Sequence, residues 1–165
     1  MSTFEADSAI THLKPFTDNA FLAVYGVQRS VRLWDVRQPH QQVKMFEQCH
    51  YSSIQAVERL NDEIFATAAG DGIINIWNTK MNKLLTSLQV HDQGVRSLKF
   101  LQKRGMLLCG HLCGFSYFQV TDNFQAKKTI EVPKEQCQIT CLEHVQGKIV
   151  CGGVSGNLHV FTFND

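Results

Sequence analysis

The chain has 165 residues, of which 44% are apolar and 19% are charged, and this composition is that of a folded globular domain rather than a disordered segment. Its formal net charge of +1 gives no broad electrostatic field that would attract nucleic acid or an anionic membrane surface. The longest uncharged apolar stretch is far shorter than the roughly 18 residues that a membrane-spanning helix needs, so we expect no membrane segment.

The amino-terminal residues and the cysteines predict the cellular compartment. The first seven residues, MSTFEAD, lack the basic and apolar regions of a secretory signal peptide. We therefore expect the six cysteines to be free thiols in a reducing compartment, which predicts a cytoplasmic or nuclear protein.

Short apolar runs bounded by turn residues predict antiparallel β-strands along the whole chain. A first run in each of four units covers residues 10–13, 54–57, 95–98 and 139–142, and a second run covers residues 21–24, 64–67, 106–109 and 148–151. A third, alternating segment follows each second run, and a fourth strand is predicted at residues 42–46, 83–88 and 128–132. Because no window shows a sustained helical period, the sequence predicts an all-β protein.

Two tryptophan-containing segments show that the strand pattern is a repeat. The segment SVRLWD at residues 30–35 is echoed by IINIWN at residues 73–78, and Trp34 and Trp77 are 43 residues apart. A repeat of roughly 42 residues indicates an array of blades, because one such unit cannot bury its own apolar face and must pack on a neighbour. We interpret residues 1–165 as a single domain of four units, at residues 1–48, 49–90, 91–133 and 134–165.

The second unit carries the fullest version of the repeated motif. His50 opens the unit, Asp71-Gly72 forms the tight turn between its second and third strands, and Trp77 lies in the third strand. This pattern resembles the WD-repeat family of β-propellers, in which a histidine, a strand serine or threonine, the turn aspartate and the tryptophan form a hydrogen-bonded chain. The resemblance implies a structural tetrad of His50, Thr67, Asp71 and Trp77. The chemistry fits, because a carboxylate accepts from an imidazole N–H and a buried indole N–H needs an acceptor.

The other three units depart from the full motif, as is ordinary in that family. Unit one has Gln28-Arg29 in place of Asp-Gly, unit three keeps His91 but has Cys113-Gly114 and Phe118, and unit four has Ser155-Gly156 and Phe161. The resemblance covers nearly the whole chain. It implies an all-β propeller of about four WD-type blades, each a four-stranded antiparallel sheet, in a partial or incompletely closed ring.

Three interpretations of the blade number follow, since propellers have typically four to eight blades. The chain is a partial gene product, a half-ring that pairs with another chain, or a four-bladed ring. WD-repeat propellers commonly close by letting an amino-terminal segment supply the outer strand of the last blade, and residues 2–6 lie where such a segment belongs. An open array otherwise leaves strand edges and an apolar face uncovered.

The sharpest functional motif is Trp34-Asp35-Val36-Arg37. It resembles the W-D-x-R ending of the WD-repeat substrate receptors of cullin–RING ubiquitin ligases, and that resemblance implies an adaptor-binding site at Trp34, Asp35 and Arg37. A guanidinium at a strand end can bind a carboxylate or backbone carbonyls of a partner. The alternative is that Asp35 makes a turn contact and Arg37 is solvated.

The cysteines and histidines of the third and fourth units invite a zinc hypothesis. The candidate ligands are Cys109, His111, Cys113, Cys137 and Cys141. Structural zinc sites usually have two residues between paired cysteines, whereas Cys109 and Cys113, and likewise Cys137 and Cys141, have three residues between them. The repeat offers a packing explanation, because Cys109 and Cys151 occupy the position of Thr67, and Cys141 the small-residue position of Ala56 and Ser97. We therefore predict no metal and no cofactor.

The sequence contains no G-x-S-x-G nucleophile motif of a hydrolase, no phosphate-binding loop motif and no H-E-x-x-H motif of a zinc protease. We therefore predict a non-enzymatic scaffold that presents propeller loops, including residues 28–29, 70–72 and 92–93, to other proteins. The alternatives are a ubiquitin-ligase substrate receptor and, more remotely, an enzyme that uses a cysteine. Small basic clusters at Lys99, Lys103 and Arg104 and at residues 127–128 are interpreted as solvated strand ends rather than a nucleic-acid site. Self-association or pairing to complete the propeller is a further partner hypothesis.

Overall fold

The computed structural model describes residues 7–38, 40–90, 92, 94–120, 126–131 and 139–162, with only the backbone for 126–131. Over these ranges the chain forms fifteen β-strands and a single 3-10 turn at Gln102–Arg104. The strands make four antiparallel sheets, and sequence order is kept within each sheet. The all-β prediction is therefore confirmed. No helix in the described ranges is long and apolar enough to cross a membrane.

Each sheet is one blade, with its first strand innermost in the array. Blade one contains β1 (His12–Thr17), β2 (Ala20–Tyr25), β3 (Ser30–Asp35) and β4 (Gln42–Phe46), and blade two contains β5 (Ile54–Arg59), β6 (Ile64–Ala69), β7 (Ile73–Asn78) and β8 (Lys83–Gln89). Blade three contains β9 (Val95–Leu101), β10 (Met106–His111), β11 (Gly114–Gln119) and β12 (Ala126–Glu131), and blade four contains β13 (Ile139–Val145), β14 (Lys148–Gly153) and β15 (Leu158–Thr162). The first strand begins at His12 rather than at residue 10, and Ile10 is exposed.

The core lies between neighbouring blades rather than inside any one sheet. A first apolar cluster joins blades one and two, where the Phe46 ring meets Trp77 edge-on at 5.7 Å between centroids. A second cluster joins blades two and three through residues such as Ile76 and Leu107, and a third joins blades three and four around Leu108 and Ile149. Each sheet thus buries its apolar residues by packing on the next, as expected for a repeat array.

The array is an unclosed ring. Extensive packing joins the inner strands β1 to β5, β5 to β9 and β9 to β13, and none of that extent joins blade four to blade one in the described part of the chain. The outward face of blade four is consequently exposed, with Leu158 at 74%. Cys141 lies on that face and is also exposed, which corrects the expectation that its thiol fills a space between sheets. The proposed closing strand at residues 2–6 lies outside the described residues.

Candidate functional site

The structure brings His50, Thr67, Asp71 and Trp77 into one hydrogen-bonded chain inside blade two. His50 Nε2 lies 2.8 Å from Thr67 Oγ1, and Trp77 Nε1 donates to the same hydroxyl oxygen at 3.0 Å. On the other side of the ring, His50 Nδ1 lies 3.2 Å from an Asp71 carboxylate oxygen. These hydrogen bonds run from Trp77 in the third strand, through Thr67 in the second strand, to His50 in the linker that precedes the blade.

The contacts define the direction of each hydrogen bond in the tetrad. The Asp71 carboxylate can only accept, so the proton on His50 lies on Nδ1, and Nε2 accepts from the Thr67 hydroxyl. That hydroxyl oxygen in turn accepts from the Trp77 indole. Burial lowers the pKa of His50, against the opposing effect of Asp71, and the imidazole is therefore neutral in this arrangement.

Asp71 also fixes the backbone at one end of the blade. Its carboxylate accepts from the backbone N–H of Tyr51 at 2.9 Å and from that of Ile73 at 3.1 Å. The linker before β5 is thereby tied to the β6–β7 turn, where Gly72 has a φ of 77°. This tie leaves the Tyr51 side chain pointing into solvent, with 88% of its surface exposed.

The loops at residues 26–29, 47–53 and 70–72 lie together at this end of the sheets, and we call them the tetrad face. The backbone N–H of Cys49 donates to the Arg29 carbonyl at 2.9 Å, and that of Ile54 donates to the Gly26 carbonyl at 3.2 Å. Val27, at the tip of the β2–β3 turn, is 81% exposed. A rigidly held backbone therefore presents two large apolar side chains, Val27 and Tyr51, to solvent.

A cleft of about 410 Å³ opens between blades one and two beside this face. Arg29, Gln48 and Tyr51 lie among its lining residues, as do Asn75 and Leu84 further along. Arg29 has a φ of 56° and Gln48 a φ of 49°, so two residues other than glycine hold left-handed backbone conformations there. Such strain costs free energy and is concentrated at binding sites and switches.

The Trp34–Arg37 motif lies at the opposite end of blade one. The Arg37 guanidinium binds its own neighbour, with Nε 2.9 Å and Nη2 2.6 Å from the two Asp35 carboxylate oxygens. These hydrogen bonds lower the pKa of Asp35 to about 2 and raise that of Arg37. Trp34 is buried in the sheet. Asp35 therefore makes the turn contact that the alternative interpretation expects. The Arg37 side chain is mostly exposed, as that interpretation also expects.

Blade three contains a polar pair that sequence reasoning did not identify. His111 is fully buried, its Nε2 lies 3.1 Å from Ser116 Oγ, and its Nδ1 accepts from the backbone N–H of Cys113 at 3.3 Å. Both ring nitrogens of His111, which the zinc hypothesis included, thus make hydrogen bonds within the sheet. The only hint in the sequence is a polar residue, Ser116, in the third strand of blade three, where it pairs with Cys109 of the second strand. Nothing in the sequence marks His111 and Ser116 as a buried pair. His91 and Cys137, also considered as motif residues, lie outside the described residues.

Three cysteines are buried thiols with low reactivity. Burial raises the pKa of Cys49, Cys109 and Cys151 to about 12, so each is protonated at neutral pH. Cys109 Sγ donates to the Ser116 carbonyl at 3.4 Å. None of these three offers the thiolate that a cysteine-dependent enzyme needs.

Comparison with known proteins agrees with the blade architecture, although no protein-family model matches the chain. The chain is 24% identical over 170 residues to U3 small nucleolar RNA-associated protein 15 of Saccharomyces cerevisiae, covering 96% of this chain and 32% of that protein. It is 22% identical over 167 residues to the WD repeat-containing protein 55 homolog of Drosophila yakuba, covering 99% of this chain and 33% of that protein. The chain therefore spans about a third of the length of the curated relatives it matches.

Solved structures show the same fold. The WD40 β-propeller domain of Doa1 superposes with a TM-score of 0.82 at 18% identity, over 98% of this chain and 53% of that one. The computationally designed Ika4 protein superposes with a TM-score of 0.79 at 21% identity, over 99% of this chain and 96% of that one. None of these names refers to a ubiquitin ligase, so the ligase alternative gains no support. The blades and these structural likenesses together show a β-propeller fold, and in sequence the chain is similar to WD repeat-containing proteins.

Proposed function

We propose that this chain is a non-enzymatic scaffold that binds partner proteins through the tetrad face. The observation that carries the proposal is the exposure of Tyr51, at 88%, on a linker whose backbone is fixed by Asp71. Tyrosine is enriched among the residues that dominate binding energy at interfaces, and a preorganised loop loses little entropy on binding. Val27 extends the apolar surface, and the Arg29 side chain beside the cleft adds a cation for a polar or acidic group of the partner.

The relatives support the same general role. WD-repeat proteins mostly present loops to other proteins, since binding residues concentrate on loops held by a rigid scaffold. The yeast relative is named for association with a small nucleolar RNA, which supports a nuclear location for this chain within a larger assembly. A fluorescently tagged chain that is excluded from the nucleus of its own cells would contradict the nuclear part of the proposal.

Site-specific photo-crosslinking tests the binding role. Replacing Tyr51 with p-benzoylphenylalanine and irradiating intact cells should link the chain to a discrete set of proteins that mass spectrometry can identify. The matched control is the same replacement at Met81, which is also exposed but lies at the opposite end of blade two. A partner captured from position 51 and absent at position 81 supports the proposal, whereas identical or absent crosslinks at the two positions overturn it.

A substitution then separates binding from folding. Tyr51→Ser should weaken binding to the captured partner by about tenfold or more, as expected for an aromatic hot spot. Its thermal unfolding should match that of the parent chain, because the side chain makes little contact with the rest of the protein. Met81→Ser should change neither quantity.

A further inference from the structure

A cleft opens between blades three and four, at the opposite end of the sheets from the tetrad face. The inner strands β9 and β13 pack side by side there, and residues of the β9–β10 and β13–β14 turns line the cleft. Its volume is about 650 Å³. We call this site the basic cleft, and its lining includes Phe100, Lys103, Arg104, His144 and Gln146.

The formal charges that line the basic cleft have one sign. Lys103 and Arg104 are both exposed, and His144 contributes an imidazole, which can donate a hydrogen bond to an anion. No aspartate or glutamate of the described ranges lines the cleft. Lys99, the third member of the basic cluster seen in the sequence, is not part of the lining, and its Nζ lies 2.7 Å from a Glu143 carboxylate oxygen. The cleft therefore favours an anionic ligand.

Phe100 and Leu101 supply the apolar part of the lining. Phe100 is half-buried against the cluster that joins blades two and three, and Leu101 is buried. Phe100 also lines a neighbouring cleft of about 460 Å³, so the two clefts meet at this side chain. In that neighbouring cleft Lys14 already binds Glu58, with 2.5 Å between Nζ and a carboxylate oxygen. An extended ligand can therefore place an anionic group in the basic cleft and an apolar group on Phe100.

The turns on the two sides of the basic cleft have defined backbone conformations. Gln119 Nε2 donates to the Arg104 carbonyl at 3.0 Å and to the Gly105 carbonyl at 3.2 Å. In the β13–β14 turn, Gln146 has a φ of 49° and Gly147 a φ of 80°. A left-handed conformation costs free energy at a residue other than glycine, and such strain is concentrated at binding sites. Because the backbone is already ordered, a ligand loses little affinity to loop ordering.

We propose that the basic cleft binds an acidic peptide segment of a partner protein. Carboxylates of the partner bind Lys103 and Arg104, where a guanidinium can hold a carboxylate through two hydrogen bonds, and an apolar side chain of the partner packs on Phe100. The lining favours a peptide over RNA, because single-stranded nucleic acid is bound by a basic groove that follows several successive phosphates. Two neighbouring cations beside an apolar surface suit a short acidic segment instead.

Fluorescence anisotropy with defined probes tests the class of ligand. The probe is a short fluorescein-labelled peptide in which glutamates flank a single leucine. At low ionic strength it should bind at least about fivefold more tightly than an analogue with glutamine in place of glutamate. It should also bind more tightly than an analogue with serine in place of leucine, and more tightly than oligouridylate of the same length. Equal binding of either peptide analogue, or binding of oligouridylate that is as tight, overturns the proposal.

A charge reversal tests the assignment to this cleft. Lys103→Glu should weaken binding of the glutamate peptide by about tenfold, and the loss should shrink as salt is added. Lys83→Glu is the matched control, because Lys83 is also exposed but lies on the outer strand of blade two, and it should leave binding unchanged. Both variants should keep the unfolding temperature of the parent chain. If the two variants weaken binding equally, the peptide responds to net charge and the cleft is not its site.

NMR titration with the same peptide locates the contact. The backbone amide resonances of Gln102–Arg104 and of residues 146 and 147 should shift, whereas those of residues 70–72 on the tetrad face should not. An absence of shifts at the cleft, or equal shifts at both ends of the sheets, overturns the proposal. Crosslinking from Tyr51 probes the opposite end, so the two binding sites succeed or fail independently.

Discussion

Thr67→Val offers the most direct test of the hydrogen-bonded tetrad. Valine has nearly the shape of threonine, so the substitution removes one hydroxyl from a fully buried position with little change in packing. That hydroxyl serves two groups, since it donates to His50 Nε2 and accepts from Trp77 Nε1. Asp71 holds the imidazole proton on Nδ1, so the ring cannot change tautomer to compensate.

The magnitude follows from the two groups left without a partner. A buried polar group that loses its hydrogen bond costs about 1–3 kcal/mol, so the free energy of unfolding should fall by about 2–4 kcal/mol. For a chain of this size the unfolding temperature should fall by about 5–15 °C. Far-ultraviolet circular dichroism during urea titration and heating measures both quantities.

A control and a second background make this prediction specific. Thr86→Val on the outer strand of the same blade should change stability by less than about 0.5 kcal/mol, because its side chain lies at the half-exposed surface. In a Trp77→Phe background the cost of Thr67→Val should shrink, since phenylalanine has no N–H to leave unpaired. If Thr67→Val lowers the free energy of unfolding no more than Thr86→Val does, the hydrogen-bonded tetrad does not stabilise the blade.

Three further predictions follow from the same geometry. Asp71→Ala should lower the free energy of unfolding by about 1–3 kcal/mol, because it leaves an imidazole N–H and two backbone N–H groups without their acceptor. The control, Asp92→Ala at an exposed turn, should lower it by less than about 0.5 kcal/mol, and urea titration compares the two variants. Burial lowers the pKa of His50 below its unfolded value of 6.5. The contribution of His50 to the free energy of unfolding should therefore be constant above pH 6.5 and should fall as the pH drops below 6.5 toward the folded pKa. A His50→Gln variant should lose this pH dependence in thermal scans. Arg37→Ala should raise the pKa of Asp35 from about 2 toward its ordinary value of 3.8 in a carboxyl NMR titration, with almost no change in unfolding temperature. An unchanged Asp35 titration would show that the ion pair does not persist in solution.

The strands and the tetrad motif could be predicted because their signals are local. Alternation of apolar residues sets each strand, and the Asp71-Gly72 turn with Trp77 six residues after the aspartate marks one blade directly in the sequence. The β4 bounds, Gln42–Phe46, agree with the predicted run. These features depend on residues within one unit, where repeat spacing is a reliable guide.

Features that depend on a neighbouring blade could not be predicted in the same way. Cys141 occupies a position that is buried in the two preceding units, yet it is exposed because, among the residues that the structure describes, no blade packs on its face. The burial of His111 likewise depends on the sheets that enclose it. The ion pairs Lys14–Glu58 and Lys99–Glu143 both join residues 44 positions apart, so their spacing can be seen in the sequence. A repeat search that aligns apolar residues does not compare charged residues and therefore does not find these pairs.

The linear order of blade packing has a consequence for how the molecule opens. Blades two and three each pack extensively on two neighbours, whereas in the described part of the chain blade four packs extensively on blade three only. In an array with nearest-neighbour coupling, a terminal unit has one interface to lose and opens at a smaller free energy than a central unit. Backbone amides in β6 and β10 should therefore exchange their hydrogens most slowly, and those in β14 should exchange first. A molecule built this way loses its structure from the end inward, so that brief exposure of blade four leaves the tetrad of blade two intact.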